Sequence, residues 1–350
     1  MKILVTGATG FVGSVLIPEL IRKFGEDSIS AYVLPGDKIS ASWKNQKIRI
    51  FQGDIGDSQA LLEACRHQSH MIHLAGYISY WRRDFSRLMR INCEGVRCVV
   101  DTCLRSGVQR LIHISSVGAL GYEKRGNLTD ENTPFNWPPY FHYMTSKYLG
   151  QRIVEDAVRK KGLRAIILNP ASIMGPGDPR LESPHNQLYE NIYKGRLFGS
   201  FSGGLGVVDV RDVVAIIIKA LDMGQIGKKY LLTGANLTYQ EVLRLIGTYA
   251  RRPVYPFRVP GAFLAAGGLF LELASILTQK KPLLTYAYGR LSGWKTYYSN
   301  EKSRQDFSHV YIDIEKTIKD SCAYFEKTFL SIRINSHKKY ASAKEERDVN

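Results

Sequence analysis

Residues 6–13, TGATGFVG, continue the short, apolar, β-prone run at Lys2 to Thr6, and lead into a stretch from Phe11 to Lys23 with apolar side chains at helical spacing. A strand that becomes a helix across three glycines leaves few folds open. Gly7 permits the tight turn, Gly10 lets backbone N–H groups approach a pyrophosphate, and Gly13 allows helix to pack closely on strand. The helix amino terminus adds partial positive charge toward phosphate. This is the context a dinucleotide-binding turn requires, and Thr9, Phe11 and Val12 complete it. Taken alone, three glycines at a helix start also serve packing only.

The rest of the chain supplies the context. Apolar strand candidates recur at residues 29–34, 48–51, 70–74, 110–115 and 164–168, separated by segments long enough for helices. Such alternation predicts an α/β fold, a Rossmann doubly wound parallel sheet with right-handed crossovers. A chain of 350 residues, 44% of them hydrophobic, can bury the core this needs. After Pro170, the segment ASIMGPGDPRLESPHN reads as irregular and mobile near a ligand. An apolar run at 206–220 and a strand candidate at 230–233 then resume the pattern. The expected division is therefore residues 1–170 plus about 206–235 as cofactor domain, and 171–205 plus 236–330 as a smaller, mostly helical substrate part. Residues 331–350 are polar and charged, and are expected to be disordered.

Several function classes lose ground. The net charge of +16 is dispersed in pairs such as Arg82-Arg83 and Lys280-Lys281, with no arginine-rich tract or zinc spacing, so nucleic acid is not expected as a partner. Five cysteines without a Cys-x-x-Cys pair read as free thiols. The first residues lack the apolar stretch of a signal sequence, which predicts a cytoplasmic protein. His67, His70 and His73 straddle a change from helix to strand and do not predict a metal site. His185 is read as a surface loop residue and His142 as a packing residue. The apolar residues 260–277 are interrupted by Glu272 and weakened by Gly267-Gly268. The preferred reading is a helix covering an apolar substrate pocket, over an interfacial membrane helix, so membrane contact is not expected.

The end of the second strand, AYVLPGDK, bears on cofactor choice, because an acid there binds ribose hydroxyls and a base binds a 2′-phosphate. Leu34 and Pro35 do neither. With Lys38 the nearest cation, beside Asp37, the reading favours NADP over NAD. Asp54 is placed to accept from an adenine amino group or, equally, to cap a turn.

Tyr143 and Lys147 stand one helical turn apart on one face. A free tyrosine, with a pKa of about 10, works near neutrality only if lowered by about three units, worth roughly 4 kcal/mol, which a neighbouring ammonium and a cationic cofactor ring can supply. A hydroxyl from Ser115 or Ser116, at the end of LIHISS, would orient a substrate oxygen.

TGATGFVG, the serine pair before VGAL, YMTSK, LNPASIMGPGD and VVDVRDV, in this order, resemble the extended short-chain dehydrogenase/reductases over residues 1 to about 325. Within that family the chain is similar to the dihydroflavonol reductase-like and 3β-hydroxysteroid dehydrogenase-like branch, including YYSNEKSRQDF. The resemblance implies Tyr143 as proton donor or acceptor, Lys147 as its electrostatic partner and ribose ligand, and Ser116, with Ser115 as alternative, as the orienting hydroxyl. It also implies that Asn92 supports the active-site helix and that Asn169, Pro170 and Ser172 line the nicotinamide. Ile55, Leu74 and Ala75 join the expected cofactor contacts. Leu34 departs from the family's basic residue at the second strand end, and Thr129-Asp130-Glu131 is read as a chance match to the acid triplet of nucleotide-sugar dehydratases. Trp81 and residues 77–80 wall the pocket or fill the core.

The expected function is reduction of a ketone, or the reverse oxidation, on an apolar or ring-bearing small molecule. The alternatives are a nucleotide-sugar epimerase or dehydratase, and a non-catalytic NADP(H)-sensing binding protein. Members of the family often pair through two long helices, so a homodimer is possible.

Overall fold

The computed structural model describes residues 1–330 apart from 124–126, 198 and 255–256, so the tail expected to be disordered lies outside the described residues. In chain order the strands are β1 (Ile3–Thr6), β2 (Ile29–Val33), β3 (Arg49–Gln52), β4 (His70–His73), β5 (Arg110–Ile114), β6 (Leu128–Thr129), β7 (Ala165–Pro170), β8 (Ser172–Met174), β9 (Ser200–Phe201), β10 (Gly204–Asp209), β11 (Lys229–Leu232), β12 (Ala235–Thr238), β13 (Arg258–Val259) and β14 (Lys295–Tyr298). The α-helices are α1 (Phe11–Phe24), α2 (Ser58–Cys65), α3 (Phe85–Met89), α4 (Gly95–Ser106), α5 (His142–Lys161), α6 (Pro184–Tyr193), α7 (Val210–Ala220), α8 (Tyr239–Tyr249), α9 (Gly261–Thr278), α10 (Tyr286–Leu291), α11 (Glu301–Asp306) and α12 (Ile314–Phe325).

The larger sheet runs β11-β7-β5-β4-β1-β2-β3 with every pairing parallel. Strands β1, β2 and β4 are buried along their whole length because both faces of the sheet are covered. On one face Leu16, Ile17 and Leu20 of α1 meet Val213, Ile216 and Ile217 of α7. On the other, Leu61, Val96, Val99 and Val154 bring α2, α4 and α5 together. The chain winds outward from β1 through β2 and β3, then returns to place β4 on the other side of β1. Ligands of open α/β sheets bind at such a reversal, beyond the carboxyl ends of the strands.

The smaller part surrounds a second sheet, β12-β10-β14-β6 with β8 also on β10, and α6, α8 and α12 close over its core of Tyr189, Ile246, Ile318 and Phe325. Residues 204–209 belong to this sheet, whereas α7 and β11 return to the larger one. β7 continues into β8 through Ala171 alone, and β10 passes directly into α7. At that second crossing Asp209 caps α7, pairs with Arg211 at 2.7 Å and accepts from Thr317 Oγ1 at 2.7 Å, while Arg211 reaches Asp320 of α12 at 2.6 Å. The segment expected to be irregular after Pro170 contains β8 and the start of α6.

A helix forms at α9 as its apolar run predicts, but its large side chains do not close over a pocket. Gly261, Ala265, Gly268 and Ser275 face inward, while Phe263, Phe270, Leu273 and Leu277 face out. The reason is close approach: a Cβ on Gly268 would collide with the Thr285 carbonyl, and one on Gly289 of α10 would stand 2.5 Å from the Ala265 nitrogen. Only small residues fit that seam.

Candidate active site

The glycine turn lies at the reversal point. Gly7 has φ +69°, and a Cβ on it would stand 2.7 Å from the Ala75 nitrogen, so β4 and the residues after it run hard against the turn. A Cβ on Gly13 would run into the Ala8 carbonyl. Gly10 is the amino-terminal cap of α1 and supplies no side-chain bond, which leaves the first-turn N–H groups at Phe11 and Val12 without a side-chain cap. Gly7, Thr9, Gly10, Phe11, Val12, Gly13, Leu74 and Ala75 are thus gathered at one sheet edge, a cradle that fits a pyrophosphate.

At the end of β2 it is Asp37 that meets this cradle: Thr9 Oγ1 donates to its carboxylate at 2.5 Å, while Lys38 is exposed beyond it. Asp54 accepts from the Gly56 N–H at 2.9 Å and pairs with Arg90 at 2.9 Å. The Gly56 bond is the main cause that holds its carboxyl below the usual range. That is the turn-capping role. Ile55 is buried, its Cγ2 2.7 Å from where a Gly95 Cβ would stand.

Helix α5 carries Tyr143 and Lys147 on its sheet-facing side, both buried. Lys147 Nζ donates to the Ile114 carbonyl at 3.2 Å. Ser116, just past β5, accepts from the Gly118 N–H at 3.1 Å, and its backbone carbonyl accepts from Asn169 Nδ2 at 2.7 Å. Its hydroxyl neighbours the Tyr143 phenol, whereas Ser115 is buried with an unpartnered Oγ. The Asn169 amide also donates to Gln151 at 2.7 Å, so it is turned into the protein; Pro170 is buried beside it and Ser172 is exposed on β8. Asn92 lies in a π-turn over Arg90–Glu94, donating to the Tyr77 carbonyl and to Ser146 Oγ of α5, each at 2.9 Å.

Burial raises the Tyr143 phenol above its ordinary value, and the Ser116 hydroxyl offsets part of that. The lowering expected from Lys147 is not what the protein alone produces, because desolvation wins. The same burial brings the Lys147 ammonium down to about 8.

Around Tyr143 stand other tyrosines. The Tyr80 ring lies 5.9 Å from that of Tyr143 and 5.5 Å from that of Tyr288, and Phe201 joins Tyr288 to Tyr239 with ring separations of 6.4 and 5.2 Å. Tyr298 belongs to the same group, and burial raises the phenols of Tyr80, Tyr239, Tyr288 and Tyr298. Of the aromatic residues expected at 77–81, Tyr80 alone is in this group. The Tyr77 hydroxyl donates to Asp84, and Trp81 lies under Arg83. No spacing in the sequence links Tyr239, Tyr288 and Tyr298 to Tyr143.

Among the histidines, His185 is not a loop residue. It sits in α6, its ring 5.0 Å from Phe11 at the start of α1, and burial lowers its imidazole to about 4. His142 packs on Phe85 at 4.8 Å, and His73 is buried between Thr6 and His113. Among the described residues no cluster of three or more His, Cys, Asp or Glu side chains could hold a metal. Glu131 accepts from the Leu231 N–H at 2.9 Å, and Asp130 closes its own turn, so that acid pair serves structure.

A family model for the NAD dependent epimerase/dehydratase family matches residues 3–232. Sterol demethylase protein B of Methylococcus capsulatus is 27% identical over 330 residues, spanning 93% of this chain and 99% of its own length. A putative dihydroflavonol 4-reductase of Synechocystis is 25% identical over 337 residues, spanning 92% of this chain and 94% of its own. The crystal structure of gox2253 superposes with a TM-score of 0.79 at 27% identity, covering 94% of this chain and 98% of that one.

Proposed function

The chain belongs to the NAD dependent epimerase/dehydratase family, and from that premise we propose that it is an NAD(P)-dependent oxidoreductase reducing a ketone, or oxidising the alcohol, on an apolar, ring-bearing small molecule. The observation that carries this is the setting of Tyr143: beside Ser116, one helical turn from Lys147, and faced by a group of buried tyrosines. A nucleotide-sugar epimerase or dehydratase must also hold its substrate's pyrophosphate, for which aromatic hydroxyls are poor ligands. A cofactor sensor has no use for a proton-transfer set.

The residues around Gly7, Gly10 and Gly13 would hold the cofactor's pyrophosphate. When bound, its nicotinamide accepts or supplies the hydride. Burial keeps the Tyr143 proton in place at neutral pH, so Tyr143 is set to give it to a carbonyl oxygen that the Ser116 hydroxyl orients. Lys147 stabilises the phenolate that remains. Lys38 alone would suggest NADP, but the Asp37 carboxylate held by Thr9 favours the free ribose hydroxyls of NAD over a 2′-phosphate.

The test is turnover of NADH and NADPH with a panel of steroidal, aromatic and aliphatic ketones, beside Tyr143→Phe. The expected result is oxidation of NADH in preference to NADPH with a ring-bearing ketone, lost in Tyr143→Phe while cofactor affinity persists. Cofactor binding without turnover of any ketone would overturn the reading.

A further inference from the structure

Among the described residues, the outward face of α9 has no partner. Phe263, Phe270, Leu273 and Leu277 recur at i, i+7, i+10 and i+14, each more than half exposed, with Leu277 at 88%. Leu269 and Ile276 flank them, and Leu283 stands fully exposed beyond the helix. The one acid of α9, Glu272, is half-buried, meeting the Tyr286 N–H and lying near Arg82. The outer face is therefore uncharged.

Its carboxyl end is basic. Lys280 and Lys281 follow the helix, and Arg82 and Arg83 reach it from the turn before α3, Arg83 donating to Gln279 at 2.7 Å. All four are exposed. Of the nearby acids, Glu272 is turned in and Asp84 is occupied by Tyr77, Ser79 and Lys281.

We propose that α9 is an interfacial anchor that lies in the plane of an anionic membrane, its apolar face at the headgroup–acyl boundary and Arg82, Arg83 and Lys280 on the lipid phosphates. Charge complementarity selects this occupant: a second copy of the chain would present the same uncharged face and the same basic end, and would leave these cations without anions. By length and hydropathy α9 is apolar enough to cross a bilayer. It lies flat because Gly261, Ala265 and Gly268 are locked in the seam with α10 and its flanking turns, which keeps one side of the helix in protein. The inference is independent of the reaction assigned to Tyr143. It gives that reading a route, since α10 carries Tyr288 on the helix against which α9 packs.

The experiment is sedimentation of the full chain with vesicles of phosphatidylcholine, alone or mixed with phosphatidylglycerol. The chain is expected to pellet with the mixed vesicles and to be released by salt. Lys280→Glu weakens binding by roughly tenfold or more, and Phe270→Glu/Leu277→Glu abolishes it, while far-ultraviolet circular dichroism and cofactor affinity stay unchanged. Phe270→Trp, a milder change, shows a blue-shifted emission on adding mixed vesicles. Wild-type protein that stays in the supernatant with both vesicle types, or a Phe270→Trp emission that does not move, overturns the proposal. So does a dimer in light scattering that Phe270→Glu/Leu277→Glu dissociates, which would assign the face to a second copy.

Discussion

Lys147 is held in the folded protein at odds with its own hydration. Its folded value of about 8 lies below the ordinary 10.5, so the unfolded chain binds this proton more tightly. Below pH 8 both states are charged and the full burden falls on the fold, roughly 3 kcal/mol. Between about 8 and 10.5 the native state releases the proton while the unfolded chain keeps it, and stability rises with pH. Ligand-free Lys147→Met is therefore expected to be more stable than wild type at pH 7, with the gap closing by pH 10, as read by urea denaturation at each pH; a gap that stays constant would remove burial as the cause. The pair Tyr143 and Lys147 was legible because one helix sets their distance. Tyr80 fell within the aromatic segment read as pocket wall or core, but Tyr239, Tyr288 and Tyr298 come from separate segments that only the tertiary fold brings to it. The sequence sets Asp37 and Lys38 side by side, and only the loop decides which of the two turns toward Thr9.

Among the elements, α5 is seated on backbone. A Cβ on Gly150 would overlap the Asn92 carbonyl, so the helix that presents Tyr143 rests directly on the backbone of the π-turn. Gly150→Ala gains helix propensity of about 1 kcal/mol but must push α5 outward. The expected outcome is a kcat lower by on the order of 100-fold, the scale of a 1 Å misplacement, with stability lowered by about 1–3 kcal/mol. Steady-state kinetics alongside thermal unfolding checks it, and near-normal kcat would mean that the seat is not tight. At this scale the strands of the large sheet were readable from their apolar runs. Two helices hold what a linear pattern does not carry. Hydropathy summed along α9 says nothing of direction, and its glycines, not its leucines, determine which side faces in. At α6, Ser183 caps the helix and Pro184 occupies its first turn, a start signal hidden within a stretch whose prolines suggested a loop.

In the molecule as a whole, neither part is complete without chain from beyond residue 170. The core against α1 needs Val213, Ile216 and Ile217 of α7, Tyr230 and Leu232 of β11, and Phe307. Residues 1–170 expressed alone are therefore expected to bind a hydrophobic dye and melt without a sharp transition, whereas the full chain loses near-ultraviolet circular dichroism and tryptophan fluorescence together in one transition. A cooperative melt of the shorter piece would show that its core closes unaided. The alternation of strand and helix foretold the large sheet, but the second sheet is made of strands two to six residues long whose partners lie far apart in sequence, beyond the reach of any local pattern. The crossings between the sheets carry a kinetic consequence. With one residue between β7 and β8 and none between β10 and α7, these two crossings have no slack chain for a hinge. Ligand exchange must then run through small displacements of loops and side chains at the rim, and its rate will follow local loop fluctuation rather than a clam-like opening of two lobes.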